Sequence, residues 1–289
     1  MTAKRMADLK RRLYVSTICG VIVASLITYS QLPFVSLLLL IFVAALASVG
    51  VWEYAQLCVA KRLHPATRLM VLSAIAVVLA LYASIHLVEF RLLPIFVLAV
   101  ALIIFFINRF KQLNDALPNI AVEFFGVAYV AVPLSLMLGV LYPVAHQGAS
   151  QEGRIWLFYL IVVTKITDVG AYFVGRLWGK HKLSPQLSPK KTVEGAISGF
   201  LCAIAASVLM HYLGKQFAGD NFHLSFFESL WLGALLGTFG QIGDLAESLL
   251  KRDADVKDSN HLPGLGGVLD MVDSLLVTTP IVYFFIHLH

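Results

Sequence analysis

GDLAESLLKRDADVKDSNHLPGLGGVLDMVDS, residues 243–274, is the stretch around which the chain is organised. It places Asp244, Glu247, Lys251, Arg252, Lys257, Asp258, Asp270 and Asp273 between and beside two strongly apolar segments, near residues 226–246 and 266–287. Charge at this density, joining two segments long enough to cross a bilayer, reads as a functional loop at a membrane surface. Carboxylates at Asp244 and Asp270 are suited to a divalent cation, and the basic, glycine-broken loop between them is suited to a polyphosphate.

The surrounding chain fits that setting. It has 289 residues, 59% of them hydrophobic and only 13% charged, with a mean hydropathy of +0.82. Soluble domains carry about 25% charged residues, so the composition excludes a soluble protein and predicts a polytopic membrane protein. Cys19, Cys58 and Cys202 lie in apolar runs without metal-ligand spacing and read as small buried residues. The N-terminus has the basic head of a signal peptide, but its apolar run from Val15 to about Thr28 is too long and is followed by another span, so a retained first helix is expected.

At about 20 apolar residues per crossing, nine spans are expected, near residues 14–31, 34–58, 69–88, 92–107, 119–142, 155–175, 193–213, 226–246 and 266–287. The N-terminal tail and the loops after spans two, four, six and eight hold 18 of the 22 Lys and Arg residues. The positive-inside rule makes that side cytoplasmic, with the N-terminus in and the C-terminus out. Residues 1–150 hold spans one to five and read as a transmembrane scaffold, whose Glu53 and Glu123 are expected to be interfacial. Residues 151–289 hold spans six to nine, carry ionisable groups inside those spans, and read as the catalytic part.

Three polar clusters fall at the cytoplasmic ends of these last spans. In KITDVGAYFVGR, residues 165–176, helical spacing sets Lys165, Asp168, Tyr172 and Gly175 on one face, with Lys165 and Asp168 able to pair. This is either a structural intramembrane ion pair or the wall of a headgroup cavity. In GKHKLSPQLSPKKTVEGAISG, residues 179–199, a lysine-rich loop broken by Pro185 and Pro189 leads through Ser188, Lys190 and Lys191 into Thr192, an expected helix N-cap beside an anion site. The third cluster is the opening stretch, where Gly264, Gly266 and Gly267 let the backbone approach a ligand.

The motifs SLLKRDADVKD at 248–258 and PGLGGVLDMVDS at 263–274 resemble the signature of the phosphatidate cytidylyltransferase (CDP-diacylglycerol synthase) family. DVGAYFVGRLWGKHKL at 168–183 and SPKKTVEG at 188–195 resemble it too. The resemblance covers about residues 155–275. It implies an all-α, bacterial-type enzyme of the cytoplasmic (inner) membrane, a homodimer, joining CTP to phosphatidic acid with release of pyrophosphate. It also implies dependence on Mg2+, with K+ as a second cation, and makes Asp244 and Asp270 the metal-binding aspartates, with Asp273 a further metal candidate. No nucleic-acid partner is expected.

On this reading the phosphates are held by Ser188, Lys190, Lys191, Thr192, Lys251, Arg252 and Lys257, with Asp258, Gly266 and Gly267 also at the substrate, while Lys165, Asp168 and Lys251 join Asp244 and Asp270 in the catalytic set. The chain departs from the family at Leu265, where His is usual, and at Met271, where Arg is usual. Lys165, where many members have a neutral residue, is expected to restore part of the missing positive charge or to stand where the monovalent cation sits. Two other readings remain open: a CTP-dependent lipid-alcohol kinase, which would transfer the γ-phosphate, and a non-catalytic lipid-binding membrane protein.

Overall fold

The computed structural model describes residues 17, 18, 20–87, 90–111, 113–143, 152–256 and 267–288. After helical turns over 20–28, the described helices are α1 (Pro33–Ala60), α2 (Thr67–His86), α3 (Leu93–Arg109), α4 (Ala116–Leu141), α5 (Gly153–Trp178), α6 (Val193–Ala218), α7 (Phe226–Asp253) and α8 (Val268–Leu288). Six of them (α1, α2, α4, α5, α6 and α8) are long and apolar enough to cross a membrane, and α3 is a shorter apolar helix of 17 residues. The chain is an all-α integral membrane protein. The 28-residue α7 also has the length to cross, but Gln241, Asp244, Glu247 and Lys251 run down its second half.

One segment differs from its expected form. The lysine-rich loop between α5 and α6 is a hairpin of β1 (Lys182–Ser184) and β2 (Ser188–Thr192), with Lys182 opposite Thr192 and Ser184 opposite Ser188. Pro185 and Pro189 suggest a broken loop, yet both strands of a two-stranded ribbon are edges, where proline is tolerated.

Two apolar cores hold the helices together. One joins α1 to α4 with the start of α8 through Val51, Met70, Phe105, Leu134 and Leu269, and the other joins α5 to α8 through Trp156, Leu160, Leu236 and Phe285. Both cross residue 150, since Leu276 belongs to the first and Leu39 and Val140 to the second. Large apolar side chains such as Phe34, Ile95 and Leu201 are exposed, which suits a lipid-facing surface.

In lipid, helices associate through close packing of small residues and through buried hydrogen bonds rather than hydrophobic gain. On α7, Gly233 and Gly237 meet Ser207 and Ala203 of α6, while a Cβ added at Gly243 would stand 2.6 Å from the carbonyl oxygen of Asp273 on α8. Tyr159 and Ser207 share a 2.7 Å hydrogen bond, and the Ser207 hydroxyl donates to the Ser229 carbonyl at 2.5 Å, which ties α5, α6 and α7. Thr164 and Thr278 link α5 to α8 at 3.1 Å.

The two scaffold acids are buried rather than interfacial. Glu123 pairs with the Arg109 guanidinium and also accepts from the Ala66 amide at 2.8 Å, while Asn119 accepts from the His64 amide at 2.8 Å. Together they fix the α2 entry loop. Glu53, only 2% exposed, accepts from the amides of Val268 at 2.9 Å and Leu269 at 2.8 Å. These are N–H groups at the start of α8, which lack carbonyl partners within the helix and lie at its positive end. In both cases the partners that make burial tolerable lie on other elements.

Candidate active site

The hairpin is tied at its base and its tip. Thr192 caps α6 by accepting from the Gly195 amide at 3.2 Å, as expected. The Glu194 carboxylate accepts from the amides of Lys180 at 3.1 Å and His181 at 3.2 Å and meets His181 Nδ1 at 2.6 Å. At the tip, Arg252 Nε donates to the Leu187 carbonyl at 3.2 Å, so the end of α7 holds the hairpin turn.

This anchoring sets Lys182, Lys190, Lys191 and Thr192 along one wall of a cavity of about 700 Å³. Asp168, Tyr172, Gly175 and Arg176 of α5 form a second wall, and Gln241 and Asp244 of α7 a third. The walls approach closely because two glycines lie between α5 and α6. A Cβ at Gly195 would stand 2.6 Å from the Ala171 carbonyl, and one at Gly175 would stand 2.9 Å from Thr192 Oγ1. Across the cavity, Lys191 Nζ meets Asp244 at 2.6 Å.

Behind Asp244 the charges continue. Lys165 stands 3.4 Å from Asp168, confirming the pairing, and donates to the Met271 carbonyl at 3.0 Å. Asp273 is 7% exposed, accepts from the Ser274 amide at 2.5 Å, and interacts electrostatically with Asp244, Lys165 and Asp168. Next to this group, Lys251 bridges Glu247, at 2.5 Å, and Asp270. Asp244 and Asp270 are therefore engaged by different lysines, Lys191 from the hairpin and Lys251 from α7 itself.

Mg2+ is normally held by one or two carboxylates with water and substrate phosphates, not by an all-protein cage. Among the described residues, no three His, Cys, Asp or Glu side chains are placed to hold a metal by themselves. Asp244, beside Asp168 and Asp273, supplies hard carboxylate oxygens, and the Lys191 ammonium already occupies a cation's place against it. That donor set fits Mg2+ shared with a phosphate ligand.

Of the expected site residues, Asp168, Lys190, Lys191, Thr192 and Asp244 line the cavity, and Lys165, Asp273, Lys251 and Asp270 form the charged layer next to it. Ser188 lies in β2, exposed Arg252 braces the hairpin tip, and buried Gly267 accepts from the Met271 amide at 3.3 Å. Lys257, Asp258 and Gly266 lie outside the described residues. Gln241, Lys182, Arg176 and the anchoring Glu194 are additions. Arg176 and Gln241 were within reach of the same spacing argument, one turn from Tyr172 and from Asp244.

The profile of the cytidylyltransferase family matches residues 10–289. A phosphatidate cytidylyltransferase of Chlamydia pneumoniae is 34% identical over 289 residues, covering 96% of this chain and 92% of the relative. One from Bacillus subtilis is 30% identical, covering 98% and 99%. Another, from Chlamydia trachomatis, is 42% identical over 160 residues, about half of each chain. With matches of this length falling on the residues that build the cavity, the chain belongs to the cytidylyltransferase family.

Proposed function

We propose that this protein joins CTP to phosphatidic acid, giving CDP-diacylglycerol and pyrophosphate. The observation that carries the reading is the Lys191–Asp244 pair, which sets a phosphate-binding lysine against a cation-binding carboxylate at a cavity between membrane helices. Full-length relatives named phosphatidate cytidylyltransferase support it.

In this reaction a phosphate oxygen of phosphatidic acid attacks the α-phosphorus of CTP. The new P–O bond forms as the α–β bridging bond breaks, and its electron pair leaves with pyrophosphate. The nucleophile is already anionic near neutral pH, so positioning and charge neutralisation carry the catalysis. Mg2+ held by Asp244, with Asp270 and Asp273, would supply neutralisation of the phosphate charge. Lys190 and Lys191 bind phosphates beside the Thr192-capped start of α6. Lys251 keeps Asp270 in place, and Arg252 keeps the hairpin over the cavity. Residues 1–150 position this machinery, which is built within 151–289.

Lys165 takes over the role of a missing positive group. Its ammonium reaches the backbone of Met271, the position at which the family resemblance leads one to expect arginine, and it faces Asp168 and Asp273. We expect Lys165→Met to lower turnover about tenfold and to make it respond to K+; unchanged turnover and K+ response would dismiss this role. Nine spans, with the N-terminus in and the cavity on the cytoplasmic face of the inner membrane, complete the reading, in a homodimer.

The deciding experiment uses purified protein, phosphatidic acid and CTP labelled at the α- or the γ-phosphate, with a Mg2+ titration. Label from the α-position should enter the lipid, and label from the γ-position should leave as pyrophosphate. Transfer of the γ-label to lipid would make the protein a kinase, and no consumption of CTP would leave only lipid binding.

A further inference from the structure

The scaffold half sends one polar side chain toward the charged layer that no motif marks. Helix α4 is interrupted by a π-helical turn, Val127–Ala131, which carries Tyr129. The sequence explains the irregular turn, since Pro133 has no N–H to offer the carbonyl of Tyr129 four residues earlier. Turns of this kind change the direction of the side chains they carry and recur at functional sites. The Tyr129 ring is held by stacking on Phe125, with centroids 5.3 Å apart and planes 10° from parallel.

What the ring presents is a buried hydroxyl without a hydrogen-bond partner among the described residues. One atom of the charged layer is in the same position: Glu247 Oε1 is buried and without a hydrogen-bond partner among the described residues, while Glu247 Oε2 is held by Lys251. The Tyr129 hydroxyl interacts electrostatically with Asp273 first and with Glu247 second. Asp273 already accepts from the Ser274 amide at 2.5 Å and hydroxyl at 3.1 Å, whereas Glu247 Oε1 has no donor among the described residues. Buried donors and acceptors are almost always satisfied, so an orphan phenol and an orphan carboxylate oxygen within electrostatic reach call for a common explanation.

We infer that Tyr129 is a positioning residue of the active site: its hydroxyl donates to Glu247 Oε1, directly or through one water, and so fixes Lys251 against Asp270. Glu247 is 1% exposed and Lys251 is largely buried, so the chain from phenol to carboxylate to ammonium to carboxylate has little freedom to adopt other arrangements. Tyr129 touches no substrate. It acts through Glu247 on the lysine that holds Asp270, and its importance for turnover rests on the reaction proposed above.

Tyr129→Phe keeps the stacked ring and removes only the hydroxyl. In the full-length protein, with phosphatidic acid saturating, kcat should fall about tenfold while KM for CTP stays within twofold and the melting temperature within a few degrees. Glu247→Gln should also lower kcat, and the double variant should be no slower than Glu247→Gln alone. The same cycle scored by thermal unfolding should be non-additive too, and it reads the contact without reference to turnover. Wild-type kcat in Tyr129→Phe, or effects that multiply in kcat and add in unfolding, would overturn the role of Tyr129. A wild-type protein that consumes no CTP would instead overturn the proposed reaction, with the unfolding cycle still deciding the contact.

Discussion

Both halves of the molecule bury charge, and they do it in opposite ways. In the scaffold half, Arg109 and Glu123 close on each other and on the backbone of the α2 entry loop, and Glu53 closes on the start of α8. In the C-terminal half, Lys191 and Asp244 face a cavity, and Lys165 and Lys251 each reach more than one acceptor. A charge inside a membrane protein therefore does not mark a functional site by itself. What marks the site is a charge whose partner can be exchanged for a ligand.

Four substitutions test this contrast, ranked by their effect on turnover. Asp244→Asn should lower kcat about a thousandfold or more, because on the proposed mechanism it removes a carboxylate that would hold the charge-neutralising cation, with thermal unfolding nearly unchanged because the pair is partly exposed. Near-normal kcat would remove Asp244 from the site. Gly243→Ala forces α7 from α8 at the Asp273 carbonyl. A displacement on the order of 1 Å at the reacting groups costs roughly a hundredfold in rate, and overpacking costs about 1–3 kcal/mol in stability. Wild-type rate and stability in this variant would show that the close approach is not required.

Glu194→Gln removes the charge that gathers the Lys180 and His181 amides, so the hairpin loosens. We expect KM for CTP to rise a few fold with kcat little changed; a fall in kcat at constant KM would place Glu194 in the chemistry. Arg109→Met should have the smallest effect on turnover and a large one on stability. Breaking a buried pair costs about 3–5 kcal/mol, yet the folded fraction should keep its kcat, as active-site titration against thermal unfolding would reveal. A selective loss of kcat would erase the distinction between the halves.

Features local in the chain were legible before the fold was known. Apolar runs of about 20 residues marked α1, α2, α5 and α8, helical spacing paired Lys165 with Asp168, and the order Thr-Val-Glu-Gly marked the start of α6. Features closed over long separations were not. Lys191 meets Asp244 across the cavity, and Glu53 meets Val268 across 215 residues. An isolated acid near a span end looks interfacial because nothing nearby in sequence can satisfy it. The hairpin was hidden for a different reason: its prolines argue against strands everywhere except in a ribbon made only of edges.

The contact from Glu53 to the start of α8 also bears on how such proteins can be recombined. A chimera that takes its first four described helices from one relative and its last four from another splits a carboxylate from the two amides it holds, 215 and 216 residues away. The turn bearing Asp270 would then be set by a foreign neighbour. Crossover points that exchange α1 and the beginning of α8 together should give active hybrids more often than those that separate them, so the heritable unit here is a pair of distant segments.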